Sequence, residues 1–252
     1  MLPQQITTKL HALRLVGMIK ALEEQAEMPN IKQLGFDERF QLIIDREEIE
    51  RRNKSFQNRL RKAKLKDNAN IEQVDFAPIR GLQKTVILKF MSGDWIQGHQ
   101  NIIITGSTGA GKTYLACAIA QAACRVGYSA QYLRIPRFLR SLEVARADGS
   151  YEKLLREIQK TDVVLFDDFG QTKLQTEEAR DLLEIMDDRH GQRSAVITSQ
   201  LDSSKWYELI PDPTIADALL DRIIHRSHKI EVKGPSMRKE KSGLTKKETS
   251  TR

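Results

Sequence analysis

Cysteine is scarce: the chain holds two in 252 residues, Cys117 and Cys124. That excludes a disulfide framework and a cysteine-based zinc cluster. Seven residues apart in a helical stretch, the two thiols share one side and read as small buried apolar groups. Long apolar runs are missing as well. Segments such as Val163-Val164-Leu165-Phe166 are far too short to span a bilayer. The opening residues, Met1-Leu2-Pro3-Gln4-Gln5, have neither the basic flank nor the apolar run of a secretion signal. The five histidines, among them His225 and His228, make no convincing metal set, and internal repeats are absent. These absences lead us to expect a reducing, cytoplasmic setting and no membrane partner.

What is present suffices for a buried core: 40% hydrophobic and 30% charged residues. Lys and Arg number 41 against 34 Asp and Glu, a net +7, which favours a polyanionic partner.

Residues 6 to 27 carry Ile6, Leu10, Leu13, Gly17 and Ala21 at three- and four-residue steps, which predicts one amphipathic helix. A second is expected from Asp37 to about Lys66. Residues 1–68 then form a small all-α domain, ended by the loop Asp67-Asn68-Ala69-Asn70. Beyond it, a short helix is expected from Lys84 to Met91, and strands then alternate with helices. Strands are expected at Ile102–Thr105, Ser129–Leu133, Val163–Phe166, Ala195–Thr198 and Lys229–Val232. Residues 69–234 are therefore expected to form an α/β domain, a parallel sheet with helices on both faces. Residues 235–252 read as a basic, disordered tail.

Gly106-Ser107-Thr108-Gly109-Ala110-Gly111-Lys112-Thr113 fits the phosphate-binding pattern G-x-x-x-x-G-K-[ST] at every position, between a strand and a helix. Glycines let backbone N–H groups turn inward around phosphate oxygens, and the helix N-terminus faces the same anion. Lys112 is expected on the β- and γ-phosphates, the Thr113 hydroxyl on Mg²⁺, and Tyr114 completes the nucleotide-binding segment. The strand Val163–Phe166 runs into Asp167 and Asp168. Strand termini are where such sheets place ligand chemistry. Asp167 is the candidate Mg²⁺ holder with Thr113, and Asp168 the group that orients or deprotonates the attacking water. On the next strand, Thr198, Ser199 and Gln200 are candidates either to contact the γ-phosphate or water, or to cap the turn. Arg222 either stabilises transferred-phosphate charge from a neighbouring subunit or pairs with Asp221 on the surface.

In this order, these motifs resemble the AAA+ ATPases of the initiator and helicase-loader group, with DnaA and DnaC among them. The resemblance is strongest to the IstB-like ATP-binding helpers of insertion-sequence transposases. Beside the P-loop it is carried by Val163 to Gly170, Ile197 to Leu201, Ser204-Lys205-Trp206, Pro211 to Asp217 leading to Leu220-Asp221-Arg222, and Val232 to Arg238. The stretch from Asp212 to Arg222 and the ending near Gly234 are the specific parts. It spans nearly the whole chain. It implies an AAA+ P-loop sheet with the P-loop strand central, ATP and Mg²⁺ as cofactors, and hydrolysis of ATP to ADP and phosphate. It also implies a homo-oligomeric ring or spiral with ATP between subunits, and a transposase as partner. In that frame Lys112, Asp167, Asp168, Gln200 as polar sensor and Arg222 as an arginine finger in trans form the catalytic set. Arg189 and Arg226 are weaker trans candidates. Many AAA+ members carry Glu where this chain has Asp168, one methylene shorter, which implies turnover that is slow or stimulated by DNA or a partner.

Between Arg51 and Lys66 lie Arg51, Arg52, Lys54, Arg59, Arg61, Lys62, Lys64 and Lys66, with no acid among them. Such a run makes backbone phosphate contacts on duplex DNA, or is a solvated helix face. Arg134, Arg137, Arg140 and Arg146 are a second basic set, suited to the inner surface of a ring. The tail adds Arg238, Lys239, Lys241, Lys246 and Lys247. The expected function is an ATP-dependent helper of transposition that oligomerises on duplex target DNA and recruits or activates a transposase. A replicative-helicase loader of the DnaC type, a small-molecule P-loop kinase, and a non-catalytic DNA-binding assembly protein that binds ATP as a switch are the rival readings.

Overall fold

The computed structural model describes residues 4–237. The tail cations Arg238, Lys239, Lys241, Lys246 and Lys247 lie outside the described residues. The chain divides into two compact units, Met1–Asn58 and Arg59–Arg252.

The first unit contains α1 (Gln4–Ala12), α2 (Val16–Glu27) and most of α3 (Phe36–Ala63). The single helix expected over 6–27 is two. Arg14 adopts a left-handed backbone (φ 58°). Leu15 N–H donates back to Leu10 O at 2.9 Å and Arg14 N–H to His11 O at 3.0 Å, the pair of hydrogen bonds that closes a helix C-terminus. The apolar stripe continues across this break, and neither glycine nor proline marks it. α2 and α3 cross closely at Gly17, where an added Cβ would stand 2.6 Å from Glu47 Cα. Glu47 accepts from the Gly17 and Met18 amides (2.7 and 3.2 Å), capping α2 in the absence of a side-chain N-cap of its own.

In the second unit, β1 (Asn101–Gly106), β2 (Ala130–Arg134), β3 (Val163–Phe169), β4 (Ser194–Ser199) and β5 (Ser227–Val232) form one parallel sheet, ordered β2-β3-β4-β1-β5. The P-loop strand β1 is interior, between β4 and β5, but β4 holds the middle place that was expected of β1. Runs of β-branched residues in β1, β3 and β4 are buried on both faces, as a covered parallel sheet requires. α4 (Lys84–Lys89) and α5 (Asp94–Gln97) precede the sheet.

α6 (Lys112–Arg125) is alanine-rich and buried along most of its length, which lets it lie close against the strands. Cys117 and Cys124 are among its buried residues, and burial pushes both thiols up to about 11. A second apolar layer comes from α7 (Ile135–Asp148), α8 (Tyr151–Lys160), α9 (Thr176–Arg189) and α10 (Pro213–Ile224). Trp206 is fully buried in it, tilted against Phe169 with 4.6 Å between ring centroids. Asp212 caps α10 by accepting from the Thr214 and Ile215 amides. These contacts explain two of the motifs that carried the resemblance: they build the core beside the sheet. No helix among the described residues is long and apolar enough to cross a membrane.

Candidate phosphate-binding cleft

β1 ends at Gly106 and α6 begins at Lys112, so the glycine-rich turn bridges a strand end and a helix N-terminus. Gly106, Gly109 and Gly111 all have positive φ (144°, 82° and 107°), a conformation that costs side-chain-bearing residues energy. A Cβ on Gly106 would also collide with the Val232 carbonyl of β5. The turn flanks a cleft of about 640 Å³, lined by Thr108 to Leu115 and reaching Lys66, Arg134, Asp168 and Gln200. Lys112, largely buried, donates to Ser107 O at 2.9 Å, which folds its ammonium back over the turn. Tyr114 donates to Gln73 at 3.3 Å from the edge of the same cleft.

Asp167 lies in the C-terminal half of β3 and is wholly buried. Thr113 and Thr198 donate their hydroxyls to its Oδ1 at 2.8 and 2.6 Å. Tyr132 donates to Oδ2 at 2.6 Å, and Lys66 Nζ lies 3.7 Å from that oxygen. Burial, reinforced by the bond to Asp167, pushes the Tyr132 phenol well above its ordinary range, so it stays a donor. The Thr113 hydroxyl and the Asp167 carboxylate offer adjacent hard oxygens, the donor type that suits Mg²⁺.

Asp168 has a left-handed backbone (φ 64°) where the β3–β4 register slips between Phe166 and Phe169. Its Oδ2 accepts from Arg134 Nε at 2.8 Å, and its amide donates to Thr198 at 3.1 Å. Gln200 accepts from Thr108 at 2.8 Å, so the fourth-strand residue touches the P-loop itself. The fold thus gathers Gly106–Tyr114, Asp167, Asp168 and Gln200. It also adds three residues that the motif reading left out or placed elsewhere: Tyr132, Arg134 and Lys66.

Arg222 does not line this cleft. It pairs with Asp187 at 2.8 Å and approaches Asp221 at 3.7 Å on α10. Arg189 is corrected outright as a trans candidate. Its guanidinium is buried and donates to four backbone carbonyls, those of Ile158, Thr161, Asp162 and Ser194. Burial pushes its pKa down to about 10. Arg226 is exposed.

The basic run is less uniform than its sequence. Arg51 and Arg52 pair with Glu47 and Glu48 one turn upstream (2.6 and 3.7 Å), acids that lie just outside the run. Arg59 donates to Cys124 O at 2.8 Å, and Lys66 sits by Asp167. Lys54, Arg61, Lys62 and Lys64 are exposed. The second basic set also divides: Arg134 is bonded to Asp168 and Arg146 to Asp181, which leaves Arg137 and Arg140 on the surface. The segment expected to be a free tail starts bound. Arg80 donates to Pro235 O at 2.8 Å, and the Met237 amide to Gly109 O at 3.0 Å. Among the described residues no His, Cys, Asp and Glu group forms a further metal cluster.

With this geometry established, the profile of the IstB-like ATP-binding proteins matches residues 8–245. The chain belongs to the IstB-like ATP-binding family. A Sinorhizobium fredii protein named as an insertion-sequence ATP-binding protein is 41% identical over 239 residues, 95% of this chain and 98% of its own length. The Pseudomonas fluorescens protein named for insertion sequence IS1162 is 46% identical over 205 residues, 81% and 89% of the two chains. Among solved structures, the DnaC helicase loader aligns with TM-score 0.59 at 19% identity, over 66% of this chain and 97% of that one. AMPPCP-bound DnaA from Aquifex aeolicus aligns with TM-score 0.58 at 19% identity, over 71% and 56%. At that identity the likeness concerns the fold, the AAA+ P-loop fold, and this IstB-like chain has it. The cleft is accordingly the candidate nucleotide site of this IstB-like chain.

Proposed function

We propose that the chain is an ATP-dependent helper of transposition that assembles on duplex target DNA and recruits or activates a transposase. Membership of a family of insertion-sequence ATP-binding proteins carries this reading. Within the cleft, the P-loop amides and Lys112 bind the phosphates, and Thr113 and Asp167 hold Mg²⁺. Neutralisation of phosphate charge is what that ion supplies when bound. The hydroxyls of Tyr132 and Thr198 fix the Asp167 carboxylate. Asp168 orients or deprotonates water for hydrolysis once Arg134 lets it go, and Gln200 senses the phosphate end from its place on Thr108. Arg222, outside the cleft of its own chain, acts on a neighbour's nucleotide, which makes ATP an assembly signal.

DNA engages the exposed Lys54, Lys62 and Lys64 first, with Arg61 beside them and Arg51 and Arg52 sharing their charge with Glu47 and Glu48. Contacts of this kind to the phosphate backbone give affinity without sequence choice. Arg59 serves mainly to fasten the chain to α6.

The test is particle mass by light scattering, with ATP or ADP, on duplex and single-stranded DNA of equal length. Large particles only with ATP and duplex are expected. Preference for single strands would make the chain a helicase loader, and no assembly on either DNA would remove the DNA-directed role.

A further inference from the structure

We propose that Lys66 is a positioning residue of the metal–nucleotide site, one that occupies Asp167 until Mg²⁺ displaces it. The inference rests on the reading of Thr113 and Asp167 as the Mg²⁺ holders. Asp167 has no exposed surface, and three hydroxyls solvate its carboxylate. Hydroxyl dipoles orient a buried charge but do not neutralise it, and an uncompensated buried carboxylate is costly. The Lys66 ammonium, 3.7 Å from Oδ2, supplies the opposite sign.

Its position is set by the backbone. α3 closes at Ala63, Lys64 turns left-handed (φ 49°), and Ala63, Ala69 and Ile71 on either side are buried. The segment is thus pinned while the Lys66 side chain is 39% exposed. That combination permits one movement. A cation bound by Thr113 and Asp167 repels the ammonium, and the flexible side chain withdraws into water without moving its anchor. Lys66 therefore weakens metal binding and keeps the aspartate compensated when the metal is absent. The residue that ends the basic run then reports the occupancy of the nucleotide site.

The experiment uses the full chain as wild type, Lys66→Met and Lys66→Arg. Mn²⁺ binding is followed by electron paramagnetic resonance in the presence of a non-hydrolysable ATP analogue. Binding of the same analogue in EDTA is measured in parallel. Removing one nearby positive charge at a half-exposed site should lower the Mn²⁺ half-saturation concentration about fivefold in Lys66→Met. Lys66→Arg, which keeps the charge, should stay within about twofold of wild type, as should analogue binding in EDTA for both variants. Unchanged or weaker Mn²⁺ binding by Lys66→Met would overturn the proposal. Loss of analogue binding in EDTA would also overturn it, by making Lys66 a phosphate ligand. Should Lys66→Met not fold, Lys66→Gln removes the same charge and carries the same expectation. Failure of the wild type to bind analogue or Mn²⁺ would instead overturn the reading of the cleft beneath it.

Discussion

Arg134 Nε lies 2.8 Å from Asp168 Oδ2, and Asp168 holds a left-handed backbone at that point. One residue thus ends β2 with a cation, and the neighbouring strand bends to bring it a carboxylate. A carboxylate gripped by a guanidinium is not free to orient water. The pair must open for Asp168 to serve hydrolysis, and an incoming polyanion at the exposed Arg137 and Arg140 on α7 offers Arg134 another partner. Arg134→Ala should therefore raise basal ATP turnover by about threefold or more and shrink the further gain on adding duplex DNA. Steady-state phosphate release with and without DNA decides it. A basal rate that falls would make Arg134 a contributor to hydrolysis and not a restraint.

Asp168 and Lys112 should separate binding from turnover. Lys112→Ala removes the ammonium beside the P-loop and should abolish ATP binding and ATP-dependent assembly. Asp168→Asn keeps size but loses the carboxylate proposed to act on water. It should bind a fluorescent ATP analogue within about twofold of wild type while turnover drops by about a hundredfold or more. Unchanged turnover in Asp168→Asn would dismiss Asp168 as the water-orienting group.

Part of this site was legible in the sequence because the chemistry constrains consecutive residues. A phosphate-binding turn needs eight adjacent positions of set type, which Gly106 to Thr113 supply, and Asp167 follows an apolar run on one strand. Tyr132 had no such signature. It reaches Asp167 only because β2 lies parallel beside β3 with Arg134 opposite Asp167, a pairing no local pattern encodes. Lys66 was read with its neighbours as one more cation of a basic run, yet a left-handed turn at Lys64 carries it away from them. Arg189 was a weaker candidate for contacts in trans; its four carbonyl partners lie on the stretch from Ile158 to Asp162 and at Ser194, which no local pattern joins to it. The alternation of strands and helices was readable from apolar runs and glycines. The break at Arg14 was not, because a charged residue took the left-handed place that glycine usually marks.

Arg222 sits on Asp187, outside the candidate nucleotide cleft of its own chain. If it acts in trans, mixtures should behave unlike their components. Arg222→Ala supplies an intact P-loop without a finger, and Lys112→Ala a finger without a nucleotide. Each alone should be nearly inactive. Their mixture should recover a measurable fraction of wild-type turnover on duplex DNA, since mixed interfaces contain one complete site. A mixture no more active than its components would confine Arg222 to its pair with Asp187.

Glu47 ties the first unit together and makes that unit sensitive to acid. Burial alone would raise its pKa, but bonds from Arg51 and from the Met18 and Gly17 amides outweigh this and hold it below the ordinary carboxylate value. A carboxylate with a depressed folded-state pKa stabilises the fold above its unfolded value, about 4.3 for Glu, and that stabilisation is lost as pH falls below it. Helix content and melting temperature of the wild type should therefore decline below about pH 4.3 more steeply than those of Glu47→Gln, which has no such proton to take up. At neutral pH the variant should be less stable by about 1–2 kcal/mol, the usual cost of losing a charged helix cap. Circular dichroism melts from pH 3 to 7 on both proteins make the comparison. Identical acid limbs would show that the cap of α2 does not depend on the charge of Glu47.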